Sequence, residues 1–208
     1  MELKPQLIPV ALPDHPQGLV VVLHGGARRG ENLMVSPTQL SVLRMIPIAR
    51  RIARAGRDRL AVFRLLNARR GWESTHTPVD DARWALGQVF GRLGRSLPCC
   101  LVGHSLGGRA ALLAAAAPEV RSAVALAPWV LPSDPVGDVR GKSMLIIHGA
   151  RDRVANPARA AELARRLHDA DGARVDFRLI PGATHSMLAH HDEFSRPAAE
   201  FAAATLLS

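Results

Sequence analysis

The sequence predicts an α/β fold, a three-layer sandwich in which helices cover both faces of a mostly parallel sheet of about six strands. Two observations carry this. Six short apolar runs recur along the chain, and most are continuous rather than alternating, as in strands buried on both faces. Between them lie segments long enough for crossover helices, which is the signature of parallel connections. A length of 208 residues suits one domain. Residues 1–17, with Pro5, Pro9, Pro13 and Pro16, read as an irregular or edge-strand lead-in, and residues 18–208 as the single folded domain.

The strands follow in order. Residues 19–23 form a β-branched run that ends at His24-Gly25-Gly26, and residues 60–65 form the second. Residues 99–102, 122–126, 144–147 and 175–180 complete the six. The helices announce themselves by their ends. Thr77-Pro78-Val79-Asp80 supplies a capping hydroxyl, a proline at the first helical position and an acid in the first turn. Asn156-Pro157 repeats the device ahead of residues 158–167. Another helix is expected to start at or just after Ser105 and to stop at Pro118, and a last one to span about Asp192 to Leu207, with Pro197 either in its first turns or breaking it. In the segment 40–55, Pro47 marks a start or a kink; Arg50, Arg54 and Arg57 share one helical face, with Ile48, Ile52 and Ala55 on another.

One motif concentrates the chemistry. Gly103-His104-Ser105-Leu106-Gly107 sits directly between a strand and a helix. A serine on so tight a turn holds a strained backbone, and side chains two residues to either side would collide, so glycine is required at both. The helix that follows directs its free N–H groups at the same point. A serine hydroxyl is a poor nucleophile at neutral pH and needs a base, which in turn needs a partner to hold its tautomer. Asp152 lies just past the fifth strand and His185 just past the sixth, both at carboxyl ends, where parallel sheets gather their sites. The order Ser105, Asp152, His185 is the one this turn demands.

With these residues in view, the chain resembles the α/β-hydrolase family from about Gly18 onward, most of all its compact members related to dienelactone hydrolases and small carboxylesterases. The resemblance implies Ser105 as nucleophile, His185 as general base and then acid, and Asp152 as orienting carboxylate. It also implies an oxyanion hole formed by the backbone N–H of Leu106 with that of Gly26 or Ala27 in the loop His24-Gly25-Gly26-Ala27. Only residues 128–141 follow the fourth strand, too few for the helical lid found in many members, so no separate lid domain is expected and the site should be open. The implied activity is hydrolysis of a carboxylic ester or related acyl compound through an acyl-serine intermediate, without cofactor or metal. The alternatives are acyl transfer or perhydrolysis with the same three residues, or a catalytically inactive binding protein on the same scaffold. Haloalkane dehalogenation is disfavoured, because it uses a carboxylate where this chain has Ser105.

The other polar residues have plainer readings beside them. Trp72, Trp129 and Met187 fall in loops at the active edge and are candidates to bind substrate, or else to close the core. Asp134 and Asp138 fall one strand too early to replace Asp152. His24, His104 and His148 read as structural hydrogen-bonding or packing groups. His190-His191 with Asp192 and His185 matches no metal-site spacing. Cys99 and Cys100, adjacent in a buried strand, read as small hydrophobes rather than as a disulfide framework.

The formal charge is +9, from 27 Lys+Arg against 18 Asp+Glu, and nearly all of the positive charge is arginine. The arginines are scattered, without a recognition motif or an aromatic stacking platform, so a small-molecule ester rather than a nucleic acid is the expected partner. No apolar run approaches the length of a membrane span, and the first residues lack the pattern of a secretory signal; a cytoplasmic, membrane-free protein is expected. Composition says nothing of substrate identity or oligomeric state.

Overall fold

The computed structural model describes residues 4–26, 35–72, 76–169 and 172–207. Its centre is a seven-stranded sheet. The strands are β1 (Gln6–Ala11), β2 (Gly18–Leu23), β3 (Leu60–Leu66), β4 (Cys99–His104), β5 (Val120–Leu126), β6 (Ser143–Gly149) and β7 (Arg174–Ile180). They lie in the order β1-β3-β2-β4-β5-β6-β7. All neighbours are parallel except β1, which pairs antiparallel with β3 at the edge. The expected count of about six is therefore corrected to seven. The proline-rich lead-in supplies the extra strand, and an edge tolerates Pro9 because one side of β1 needs no ladder donor.

The six expected runs all reappear as strands, lengthened by a residue or more. Strand alternation divides the core into two layers. Leu19, Val21 and Leu23 share one core layer with Leu86 of α3 (Pro78–Leu93), Ala110 of α4 (Leu106–Ala114) and Leu163 of α5 (Pro157–Asp169). Val20 and Val22 face α2 (Met45–Gly56) and α6 (His191–Leu207), packing with Ile48, Ile52 and Phe194. This is the sandwich that the apolar pattern predicts, and among the described residues no lid domain interrupts it.

The helix signals hold in detail. Thr77 Oγ1 accepts from the Val79 N–H while Asp80 Oδ2 accepts from the Thr77 N–H, a reciprocal cap. Asn156 Oδ1 accepts from the Ala158 N–H at 2.9 Å. The segment around Pro47 splits at Arg44 into a short α1 (Leu40–Leu43) and α2, with Pro47 in the first turn of α2. On α2, Ile48 and Ile52 are buried while Arg50 and Arg54 are exposed, as an amphipathic surface helix requires, and Arg57 caps its end in a left-handed conformation instead of continuing the face. Pro197 lies inside α6 without ending it.

Candidate active site

The site is built at the carboxyl end of β4. Ser105 adopts φ 56° and ψ −119°, a conformation costly for any residue with a side chain and kept only where the surroundings over-determine it. Three backbone bonds do so here. The Ser105 N–H donates to the Leu126 carbonyl, and the Ser105 carbonyl accepts from the N–H groups of Arg109 and Trp129. The flanking glycines are a steric necessity. A Cβ on Gly103 would lie 2.1 Å from the Gly107 carbonyl oxygen, and one on Gly107 would lie 2.5 Å from that of His24.

The loops after β6 and β7 bring the remaining two groups to this point. His185 Nε2 is 3.0 Å from Ser105 Oγ, and His185 Nδ1 is 2.8 Å from Asp152 Oδ2. The carboxylate can only accept, so Nδ1 carries the hydrogen and Nε2 is free to take the serine proton. Asp152 Oδ1 accepts from the N–H groups of Val154 and Ala155 at 2.8 and 2.9 Å. Burial would raise its pKa, but donated hydrogen bonds from His148, His185 and Ala155 outweigh burial and hold it well below the usual carboxylate range.

Three further histidines frame the site. His104 Nε2 donates to the His185 carbonyl at 2.9 Å, fixing the backbone of the loop. Burial, reinforced by the neighbouring His185, pushes the His104 imidazole down to about 3. His24 donates from Nδ1 to the Gly25 carbonyl and accepts at Nε2 from the Asn67 N–H. Burial likewise lowers it to about 4. His148 is fully buried, with Nε2 at 3.2 Å from both Asp152 Oδ2 and the Ala155 carbonyl. Sequence reasoning gave these three structural roles; nothing short of the fold could show that His148 bonds to Asp152.

A cavity of about 400 Å³ opens over Ser105, lined among others by Gly26, Leu106, Trp129, Val130 and Arg153. Leu106 is the first residue of α4, so its N–H has no partner within the helix. Gly26 must be glycine, because a Cβ there would lie 2.0 Å from the Arg70 carbonyl oxygen. Ala27, the alternative oxyanion donor, lies outside the described residues.

Of the three candidate substrate-binding residues, the structure brings Trp129 to the cavity. Trp72 instead packs against the core with its ring 3.8 Å from the Arg109 guanidinium. Met187 is 1% exposed and packs with Ile180 and Phe194 beneath the site, so its assignment to the pocket is corrected. Its φ of 61° turns the loop after His185 back toward the core, a feature that residue type does not announce. Asp134, set aside as a triad acid, is buried against Arg109, accepting from Nε at 2.9 Å, and also accepts from the Leu131 N–H. His190 pairs with Glu193 and His191 with Ser195. Cys99 and Cys100 are free, buried thiols, and burial pushes Cys100 up to about 12.

A strand-turn-helix serine, an imidazole and a carboxylate at the rim of a seven-stranded parallel-type sheet define the α/β-hydrolase class. Within it, the dienelactone hydrolase family model matches residues 95–207, and the chain belongs to that family. Solved structures share the fold at low identity. A putative alpha/beta hydrolase from Agrobacterium tumefaciens is 20% identical with a TM-score of 0.66, covering 95% of this chain and 88% of that one. Est1E from Butyrivibrio proteoclasticus, solved with ferulic acid bound, is 14% identical with a TM-score of 0.68, at coverages of 98% and 96%. A thermophilic esterase from Thermogutta terrifontis with propionate bound is 19% identical with a TM-score of 0.67, at coverages of 98% and 89%. No curated protein matches the chain. Among the described residues, no helix is long and apolar enough to cross a membrane.

Proposed function

We propose that this hydrolase is a serine esterase that cleaves a carboxylic ester through an acyl-serine intermediate. The observation that carries the reading is the unbroken chain from Ser105 Oγ through His185 to Asp152, with links of 3.0 and 2.8 Å. His185 Nε2 takes the Ser105 proton as Oγ attacks the ester carbonyl. The N–H groups of Leu106 and Gly26 receive the oxyanion, and Asp152 stabilises the imidazolium. The proton passes to the leaving alcohol. Water, deprotonated by the same imidazole, then releases the acid and restores Ser105.

No cofactor takes part in these steps. The cavity, lined by Trp129 and Val130 together with Arg153, Asn156 and Arg159, gives a small acyl group access to Ser105. The test is labelling by a fluorophosphonate and turnover of short p-nitrophenyl esters. Both are expected in the wild type, and Ser105→Ala should abolish labelling and reduce kcat by roughly 10⁴-fold or more. Labelling that survives in Ser105→Ala refutes the assignment.

A further inference from the structure

The loop between β3 and α3 has no part in the steps proposed above, yet its backbone sets the position of Gly26. A Cβ on Gly26 would come within 2.0 Å of the Arg70 carbonyl oxygen, so the two main chains are in direct contact. Among the described residues no backbone carbonyl accepts the Gly26 N–H, which leaves it free for an oxyanion. Arg70 rides on a short span of the loop. Trp72 pins that span on one side, its ring packed 3.8 Å from the guanidinium of the buried Arg109. The pin on the other side is Ala68.

Ala68 is held by a buried carboxylate. Asp81, in the first turn of α3, is 1% exposed, and its Oδ2 accepts from the Ala68 N–H at 2.9 Å. Its other oxygen, Oδ1, lies 2.7 Å from His76 Nε2 at the far end of the same loop. An ionised carboxylate can only accept, so Nε2 carries the hydrogen. One side chain thus ties the loop both where it leaves β3 and where it enters α3. The neighbouring Asn67 N–H donates to Nε2 of His24, two residues before Gly26. Helix capping does not account for Asp81, because Thr77 and Asp80 already complete the reciprocal cap of α3. A charged group is costly to bury, and here both of its oxygens are turned to the loop that abuts Gly26.

Resting on the esterase reading, we infer that Asp81 and His76 are positioning residues for ester cleavage, fixing Gly26 as the second oxyanion donor beside Leu106. Asp81 sets the span that carries Arg70, the Arg70 carbonyl sets Gly26, and His76 holds the Asp81 carboxylate in place. Neither residue meets the substrate. Negative charge reaches the carbonyl oxygen only as Ser105 attacks, so the clamp acts on the transition state and not on ground-state binding. Ser105, His185 and Asp152 are carried by other loops and keep their mutual bonds without it.

The test combines steady-state kinetics on p-nitrophenyl acetate with inhibition by a trifluoromethyl ketone, whose hemiketal with Ser105 places an oxyanion in the same hole. Asp81→Ala should lower kcat by about 100-fold, the lower end of what one oxyanion donor supplies, with KM within about twofold of the wild type. His76→Phe should lower kcat by about tenfold, the worth of one hydrogen bond to a charged group. His76→Gln, which keeps a donor, should recover most of that loss. In each variant the inhibition constant of the ketone should rise by the factor by which kcat/KM falls. The matching methyl ketone, which forms no stable hemiketal, should bind all of them alike. Wild-type kinetics in His76→Phe, a fall in kcat/KM with the trifluoromethyl ketone bound as tightly as before, or no recovery in His76→Gln overturns the inference and leaves the esterase standing. Should Asp81→Ala fail to fold, the two variants of the half-buried His76 decide alone. A wild type that neither cleaves the ester nor reacts with a fluorophosphonate removes the esterase reading and this one with it.

Discussion

His148 donates to Asp152 Oδ2, the same oxygen that accepts from His185 Nδ1, at 3.2 Å against 2.8 Å. With the Ala155 carbonyl also 3.2 Å from His148 Nε2, that nitrogen carries the hydrogen, and the carboxylate receives four donors in all. Removing one donor to a charged group costs roughly 1.5–3 kcal/mol, about 10–100-fold in rate if the loss falls on the orienting carboxylate. His148→Leu should lower kcat/KM for a short ester by that factor, and His148→Gln, which keeps a donor on the same side, should recover most of it. Steady-state kinetics on the pair decides, and an unimpaired leucine variant would show that the second imidazole does nothing for the first.

Asp152→Asn should be far more damaging to turnover than to folding. An amide cannot hold both the Nδ1 hydrogen of His185 and the N–H groups it now accepts, and loss of the orienting charge costs about 10⁴-fold in kcat where such a residue is catalytic. The same substitution has a pH signature. Because the folded carboxyl titrates below its unfolded value, its contribution to stability is present above about pH 3.9 and is lost as pH falls through the folded value. Thermal unfolding of the asparagine variant should therefore be less acid-dependent below about pH 4. Equal acid slopes in the two proteins would contradict this.

His24 and His104 govern a higher window. Both are buried bases lowered from 6.5, to about 4 and about 3, so the unfolded chain takes up protons first as the solution acidifies. Stability should then decline from about pH 6.5 downward and level off only near the folded values. The His24 share is on the order of 3 kcal/mol at about 1.4 kcal/mol per pH unit. His104→Gln, which keeps a donor for the His185 carbonyl but does not titrate, should flatten the dependence of Tm on pH between 6.5 and 4. A slope as steep as in the wild type would assign the acid sensitivity elsewhere.

The Arg109–Asp134 pair ties α4 to the loop after β5. Arg109 also lies 3.8 Å from the ring of Trp72 and 5.8 Å from that of Trp129, and the backbone N–H of Trp129 donates to the Ser105 carbonyl. Asp134→Ala leaves a guanidinium buried without a counter-charge and should destabilise the fold by about 3–5 kcal/mol. The double variant Arg109→Met/Asp134→Leu should be less destabilised than the single one. Denaturant unfolding measures both, and equal losses would indicate that the pair acts through something other than its charge.

How far the sequence reaches depends on the range of the force involved. Strands such as β2 and β4 were legible because two-sided burial leaves a continuous apolar run, and the caps at Thr77 and Asn156 because their bonds close within three residues. Ser105 was legible for a similar reason. The close approach of Gly103 to Gly107 is enforced within one turn of chain, so that glycine marks the serine it serves, whereas Gly107 meets Leu23 and His24 at the end of β2 and only the fold shows why it must be small. Asp152 and His185 were placed by their positions after successive strands and by family resemblance, since no local pattern distinguishes them from other acids and histidines.

The tertiary structure alone decided what depends on distant segments meeting. Between the irregular and edge-strand readings of the proline-rich lead-in, residues 6–11 became a strand because β3 offered an open edge. Met187 turned inward because a left-handed turn carries it under the sheet, while Trp129 stayed at the cavity. Arg44 and Arg153 are 109 positions apart in the chain, yet they share one wall beside His185. Sequence composition reports how much positive charge a chain carries. Which charges find a carboxylate and which are left facing a cleft is set by packing, because electrostatic pairing follows distance in space and not separation along the backbone.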